Sequence, residues 1–205
     1  MTTPRIAVVS AGLSQPSSTR LLADRLAAAT SRALAATGRT PLVDVVELRD
    51  HAHDLANNLV TGFPAASLRE VIDQVTTADA LIAVTPIFNA SYSGLFKTFF
   101  DVLDKDALVG MPVLVGATGG TPRHSLALEH AVRPMFAYLR SIVVPTSVYA
   151  ASQDWGASGD GDRGLVDRID RAATELADLV GNRRKPVDPF DEPTPFEQLL
   201  AEQRA

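Results

Sequence analysis

The sequence predicts an α/β fold in which a five-stranded parallel sheet carries helices on both faces. Two observations predict it. Short apolar runs of strand length alternate with longer stretches of helical periodicity. The third and fourth of these runs are continuously apolar, as strands buried on both faces must be.

The first run, residues 6–9, is rich in β-branched residues and ends at Ser10. Residues 19–37 follow as a helix, with Leu22, Leu26, Ala29 and Ala33 at helical spacing and Gly38 as the stop. Residues 43–48 form the second strand, interrupted by Asp44 and Glu47. Residues 67–77 form a helix in which Ser67 and Glu70 are spaced as a capping box. Residues 80–84 are the third strand, and the helix over 93–103 follows a polar loop. Residues 112–117 are the fourth strand. Residues 125–139 are helical, with a kink or a restart at Pro134. Residues 142–148 are the fifth strand and 164–180 the last helix. Five such strands suit a flavodoxin-like, doubly wound sheet of order 2-1-3-4-5. Residues 1–182 thus read as one domain. Residues 183–205 read as a Pro-rich, charged tail with a short helix over 195–203, which Phe190, Phe196, Leu199 and Leu200 would dock.

Composition narrows the function classes. The 205-residue chain has no cysteine, which excludes disulfides and thiol redox chemistry. Its formal charge is −5 with both signs mixed, and no Lys/Arg block exists to neutralise phosphates, so no nucleic-acid partner is expected. No segment approaches the roughly 20 apolar residues that span a bilayer, and the N-terminus lacks the pattern of a signal peptide. The expectation is a cytoplasmic protein with no membrane partner.

In a parallel sheet the loops after the strands emerge on one carboxyl edge, where ligands bind. The loop at residues 10–20 carries Ser10, Ser14, Ser17, Ser18 and Thr19 and opens directly into a helix. Hydroxyls and helix N-terminal N–H groups together make a phosphate cradle. The alternative is a Ser-rich turn with an N-cap. Neither a Walker A nor a G-x-G-x-x-G pattern is present, which disfavours an NTPase and a standard Rossmann dehydrogenase. The loop after strand three offers Pro86, Ile87, Phe88 and Asn89, whose backbone groups and amide suit the edge of a flat heterocycle. The loop after strand four offers Thr118, Gly119 and Gly120, where backbone approaches a ligand without a Cβ in the way. Three such loops on one edge point to a mononucleotide with a flat ring.

These residues resemble the NAD(P)H-dependent FMN reductase family of the flavodoxin-like superfold, over about residues 5–148. "TPIFNASYSGLFKTFFDVL" and "ATGGTPRHSLALEHAVRPMF" look especially like flavin reductases that feed two-component monooxygenases such as the alkanesulfonate system. Relatives often carry an Arg where Leu13 and Ser14 stand, so the phosphate must rely here on hydroxyls and N–H groups. The resemblance implies FMN and NAD(P)H as cofactors, with residues 86–89 and 118–120 around the isoalloxazine and ribityl parts. It implies hydride transfer from nicotinamide to flavin, with no acid, base or nucleophile from the protein. It also implies a homodimer or homotetramer and a flavin-dependent monooxygenase partner. Tyr92 resembles the inserted residue that makes a π-bulge in monooxygenase-partnered reductases, which would turn its ring toward another subunit and favour flavin release. An FMN-containing quinone or azo reductase, or a flavin-binding electron carrier, is the alternative.

The remaining residues give weaker signals. His51 to Asp54 ("HAHD") has no further ligand nearby, so exposed histidines are the better reading and no metal is expected. His124, Ser125 and Asp154 form no triad signature. Arg133 stands in an apolar helix and reads as paired or interfacial. Phe96, Phe99, Phe100 and Leu103 form an apolar stripe, core or interface. Trp155 covers a site or packs.

Overall fold

The computed structural model describes residues 3–155 and 160–182. The expected tail, with its helix at 195–203 and its four docking residues, lies outside them. Strand β1 (Arg5–Ser10) runs parallel between β2 (Leu42–Glu47) and β3 (Ala80–Phe88). On the far side of β3 lies β5 (Pro112–Gly119), also parallel. The sheet order thus reverses beside β1, as in a doubly wound fold.

Among the described residues, seven strands stand where five were expected. The fifth is split into β6 (Ile142–Val143) and β7 (Val148–Ala151), both parallel to β5. Pro145 stands in the break, where it has no N–H for the ladder. Arg133 fills the gap, donating to the carbonyls of Val144 and Pro145 at 3.0 Å each and to Ser147 Oγ at 2.7 Å. It also pairs with Glu129 at 2.7 Å, and this partner holds the Glu129 carboxyl below its ordinary pKa. Arg133 is therefore paired and structural. The other added strand, β4 (Ser91–Tyr92), folds back antiparallel on the end of β3.

Side-chain alternation sorts the core. Ile6 and Val8 of β1, with Ile82 and Val84 of β3, face α1 (Ser18–Ala36) and α6 (Asp160–Asn182). Ala7, Val9, Leu81 and Ala83 face α2 (Ala52–Thr61), α3 (Ala66–Thr76), α4 (Gly94–Asp101) and α5 (Arg133–Tyr138). Phe96, Phe99 and Phe100 of the predicted stripe are fully core, with ring centres 4.8 to 6.3 Å from one another or from those of Tyr92 and Phe136. Among the described residues no helix is long and apolar enough to cross a membrane.

One local expectation is corrected, one element is added and one expectation is sharpened. Helix α3 starts at Ala66 with Ala65 as an N-cap that makes no side-chain bond. Ser67 lies inside it and donates to Asp54 Oδ2 at 2.9 Å, so a tertiary partner takes the hydroxyl the capping box needed. Helix α2 was not anticipated: Leu55 is its buried anchor and Gly62, at φ +77°, its stop. The restart expected at Pro134 is present: a π turn at Leu128–Val132 leads into α5, which carries Pro134 in its first turn. Pro134 supplies no N–H to the carbonyl four residues back, and the wider register forms where that bond is missing.

Candidate functional site

The loop after β1 rises over the start of α1. Ser17 is the N-cap, and its Oγ accepts from the Arg20 N–H at 3.2 Å. That leaves other first-turn N–H groups without intrahelical partners. Ser14 and Ser18 are exposed on the loop, whereas Thr19 is buried. Thr19 Oγ1 lies 2.8 Å from Thr118 Oγ1 and so ties this loop to the end of β5. Ser10 is 1 % exposed, and its hydroxyl has no partner.

The loop after β3 is a hairpin rather than an open connection. Ile87 pairs with Tyr92 and Phe88 with Ser91. The two residues between, Asn89 and Ala90, have φ of +49° and +69°. A two-residue turn with both φ positive matches the strand twist and favours Asn at its first position. Thr85 fixes the base of the hairpin, its Oγ1 accepting from the Ser93 N–H at 3.1 Å. Ser93 in turn caps α4 through the Phe96 N–H at 3.2 Å. Tyr92 therefore lies in β4, before the helix, and the expected π-bulge at this position is absent. The hairpin takes up the residue that a helix starting earlier would have had to accommodate.

At the end of β5, Gly119 lies against Tyr149. A Cβ on Gly119 would fall 2.1 Å from the Tyr149 hydroxyl, which donates to Thr121 O at 2.8 Å. Burial, then the nearby Asp154, pushes the Tyr149 phenol above its ordinary pKa, so it stays a donor at neutral pH. A Cβ on Gly120 would meet nothing within 4 Å.

The three loops converge on one cleft of about 350 Å³. Ser14, Ser18 and Thr19 line one end; Pro86, Ile87 and Phe88 another side; Thr118, Gly119 and Gly120 the floor. Ser10 sits at the foot of the first loop and Ser17 is engaged as cap, so neither lines the cleft, nor does Asn89 at its exposed turn. Leu13, Ser152 and Trp155 complete the wall. Sequence reasoning marked Trp155, as an aromatic in a polar loop, and Leu13, as a place where relatives carry an Arg, but not Ser152. The Trp155 ring packs against Arg25, whose guanidinium carbon is 5.1 Å from the ring centre. The arrangement offers hydroxyls and N–H groups at one end and backbone with flat apolar surface at the other. It suits a ligand with an anionic tail and a planar head.

Comparison with known proteins agrees with this geometry. The profile of the NADPH-dependent FMN reductase family matches residues 4–156. The chain is 38% identical over 184 residues to an FMN reductase (NADPH) of Pseudomonas aeruginosa, covering 89% of this chain and 96% of that one. It is 34% identical to the NADH-dependent FMN reductase SfnF of Pseudomonas fluorescens, covering 89% and 95%. The crystal structure of an oxidoreductase from Corynebacterium diphtheriae superposes with a TM-score of 0.86 at 44% identity, covering 89% and 99%. With its doubly wound sheet and the three-loop cleft at its carboxyl edge, this chain belongs to the NADPH-dependent FMN reductase family.

Proposed function

We propose that this chain is an NAD(P)H-dependent FMN reductase that takes FMN into the three-loop cleft and delivers reduced flavin to a flavin-dependent monooxygenase. The convergence of the three loops on one cleft carries the reading, and family membership supports it. The residues present fit FMN. Ser14, Ser18 and the first-turn N–H groups of α1 would hold the phosphate. Pro86, Ile87 and Phe88 would flank the ring, with Asn89 at its outer edge, and the open face of Gly120 lets backbone come close.

Hydride transfer from nicotinamide to flavin is chemistry the two nucleotides supply. The chain's part is to bind, stack and exclude water. Assembly as a homodimer or homotetramer belongs to the same reading. A groove of about 630 Å³ beside Tyr92, lined also by Phe100, Leu103, Met135 and Tyr138, would seat another subunit. Tyr92 pairs with Ile87 in the hairpin and would link that contact to release of the flavin. Cytoplasmic residence fits a consumer of reduced nicotinamide.

The relatives are named for different nicotinamides, so both are tested. Chelator-treated protein is expected to oxidise NADH or NADPH when FMN is supplied, followed as loss of nicotinamide absorbance. No FMN-dependent loss with either nucleotide would falsify the reading. Protein that is purified yellow and turns over without added flavin would favour the FMN-containing quinone or azo reductase instead. Ser18→Ala is expected to weaken FMN about tenfold while riboflavin, which lacks the phosphate, is little affected. That is the lower end of a hydrogen bond to a charged group, since neighbouring donors remain. Flavin fluorescence titration reads both, and unchanged FMN affinity removes Ser18 from the site.

A further inference from the structure

The loop proposed to hold the phosphate has no arginine between Ala11 and Thr19. A cation reaches it from elsewhere in the fold. Arg49 follows β2, in a 3-10 turn at Leu48–His51, and its side chain is only 18% exposed. Its Nη1 donates to the Ser14 carbonyl at 3.0 Å. With the Gln15 carboxamide turned so that its oxygen faces the guanidinium, Arg49 also donates to it at 2.6 and 3.1 Å. Ser14 lines the cleft, so this contact fixes a wall of the site from behind.

Arg49 is tied into a network of carboxylates and a second arginine. Glu47, at the end of β2, divides its carboxylate between two arginines. One oxygen meets Arg49 at 2.8 Å and the other meets Arg20 at 2.6 Å. Glu47 is 16% exposed, so this shared pairing is shielded from water. The remaining carboxylates, Asp24 on Arg20 and Asp50 on Arg49, are 48% and 66% exposed. Five charges thus form one network beside the loop, and within it Arg49 is the cation that directly contacts the loop backbone, at Ser14. The rigid fork of a guanidinium suits this work: one group can hold a carbonyl, an amide and a carboxylate at once.

We infer that Arg49 is a positioning residue for the phosphate loop: it fixes the Ser14–Gln15 backbone and supplies the local charge by which the chain prefers FMN to riboflavin. The inference rests on the flavin reading above and adds the residue that makes the phosphate count. Arg49 is held behind the loop and acts through Ser14 and through its field.

The test measures FMN and riboflavin affinity by fluorescence quenching, at low and high salt, for wild type, Arg49→Lys and Arg49→Met. Arg49→Met is expected to weaken FMN about tenfold or more and riboflavin less than about threefold. Arg49→Lys keeps the charge and loses the fork, so about a threefold loss of FMN affinity is expected and the fold is preserved. The FMN preference of wild type should shrink as salt rises, and that of Arg49→Met should not. In turnover, KM for FMN rises while kcat holds, the signature of lost uniform binding. Equal losses for both flavins, or an unchanged preference in both variants, overturn the role of Arg49 alone. A wild type that binds neither flavin overturns the flavin reading and this inference with it.

Discussion

Gly119→Ala is expected to lower FMN affinity about 100-fold, near the upper end of what overpacking a closed site costs. The new Cβ would lie 2.1 Å from the Tyr149 hydroxyl and 3.2 Å from its Cζ. Tyr149 is 8 % exposed and its hydroxyl is held by Thr121 O, so it cannot swing aside. The strand end must move instead, and it carries Thr118 and Gly120 with it. Tyr149→Phe removes the clashing oxygen at a cost of about 0.5–1.5 kcal/mol for the lost hydrogen bond. The double variant should therefore bind FMN more tightly than Gly119→Ala alone. Titration of all four proteins with FMN closes the cycle. Wild-type affinity in Gly119→Ala would show that the cleft floor has room to spare. A double variant no better than the single would place the damage elsewhere than in the Tyr149 contact.

Phe96→Ala is expected to destabilise the fold by about 3–5 kcal/mol, the range for truncating a buried Phe. Phe96 is fully buried at the first turn of α4. Its ring centre lies 4.8 Å from Phe100, 6.0 Å from Tyr92 and 6.3 Å from Phe136. The cavity would open where α4, the hairpin and α5 meet, and these rings cannot all collapse into it while their helices stay on the sheet. Domain stabilities of about 5–15 kcal/mol make this a large share of the total. Val60→Ala, at a side chain 87% exposed, is the control and should stay within about 0.5 kcal/mol of wild type. Urea unfolding midpoints measure both. A Phe96→Ala loss below about 1 kcal/mol would mean that the cluster repacks.

Most of the sheet was legible in the sequence, because apolar runs and helical spacing are local patterns that burial enforces. Strands β1, β3 and β5 and helices α1 and α4 lie where those patterns put them. The three loops were legible for a similar reason: chain order in an α/β fold dictates which loops share the carboxyl edge. So hydroxyls near α1, the residues around Pro86 and the paired glycines could be assigned to one cleft before any contact was known. Helix α2 was also within reach, since Leu55, Leu59 and Gly62 carry its spacing and its stop.

What the sequence could not decide depends on partners far away in the chain. Whether Ser67 caps a helix turned on Asp54, 13 residues earlier, being close enough to take its hydroxyl. Whether Tyr92 enters a helix turned on the hairpin, which closes because Asn89 and Ala90 accept positive φ and Thr85 holds the Ser93 N–H. The break between β6 and β7 is stabilised by Arg133, whose partners lie up to 14 residues on. Arg49 meets Ser14 across 35 residues, through a contact that neither segment announces. The sequence by itself determined the order of strands and helices and the edge on which the site is built, because periodicity and chain direction are properties of single segments. Only the tertiary structure decided which hydroxyl is used up, which glycine faces a phenol and which arginine stands behind the loop, because a hydrogen bond is set by distances between segments that meet only when the sheet has formed.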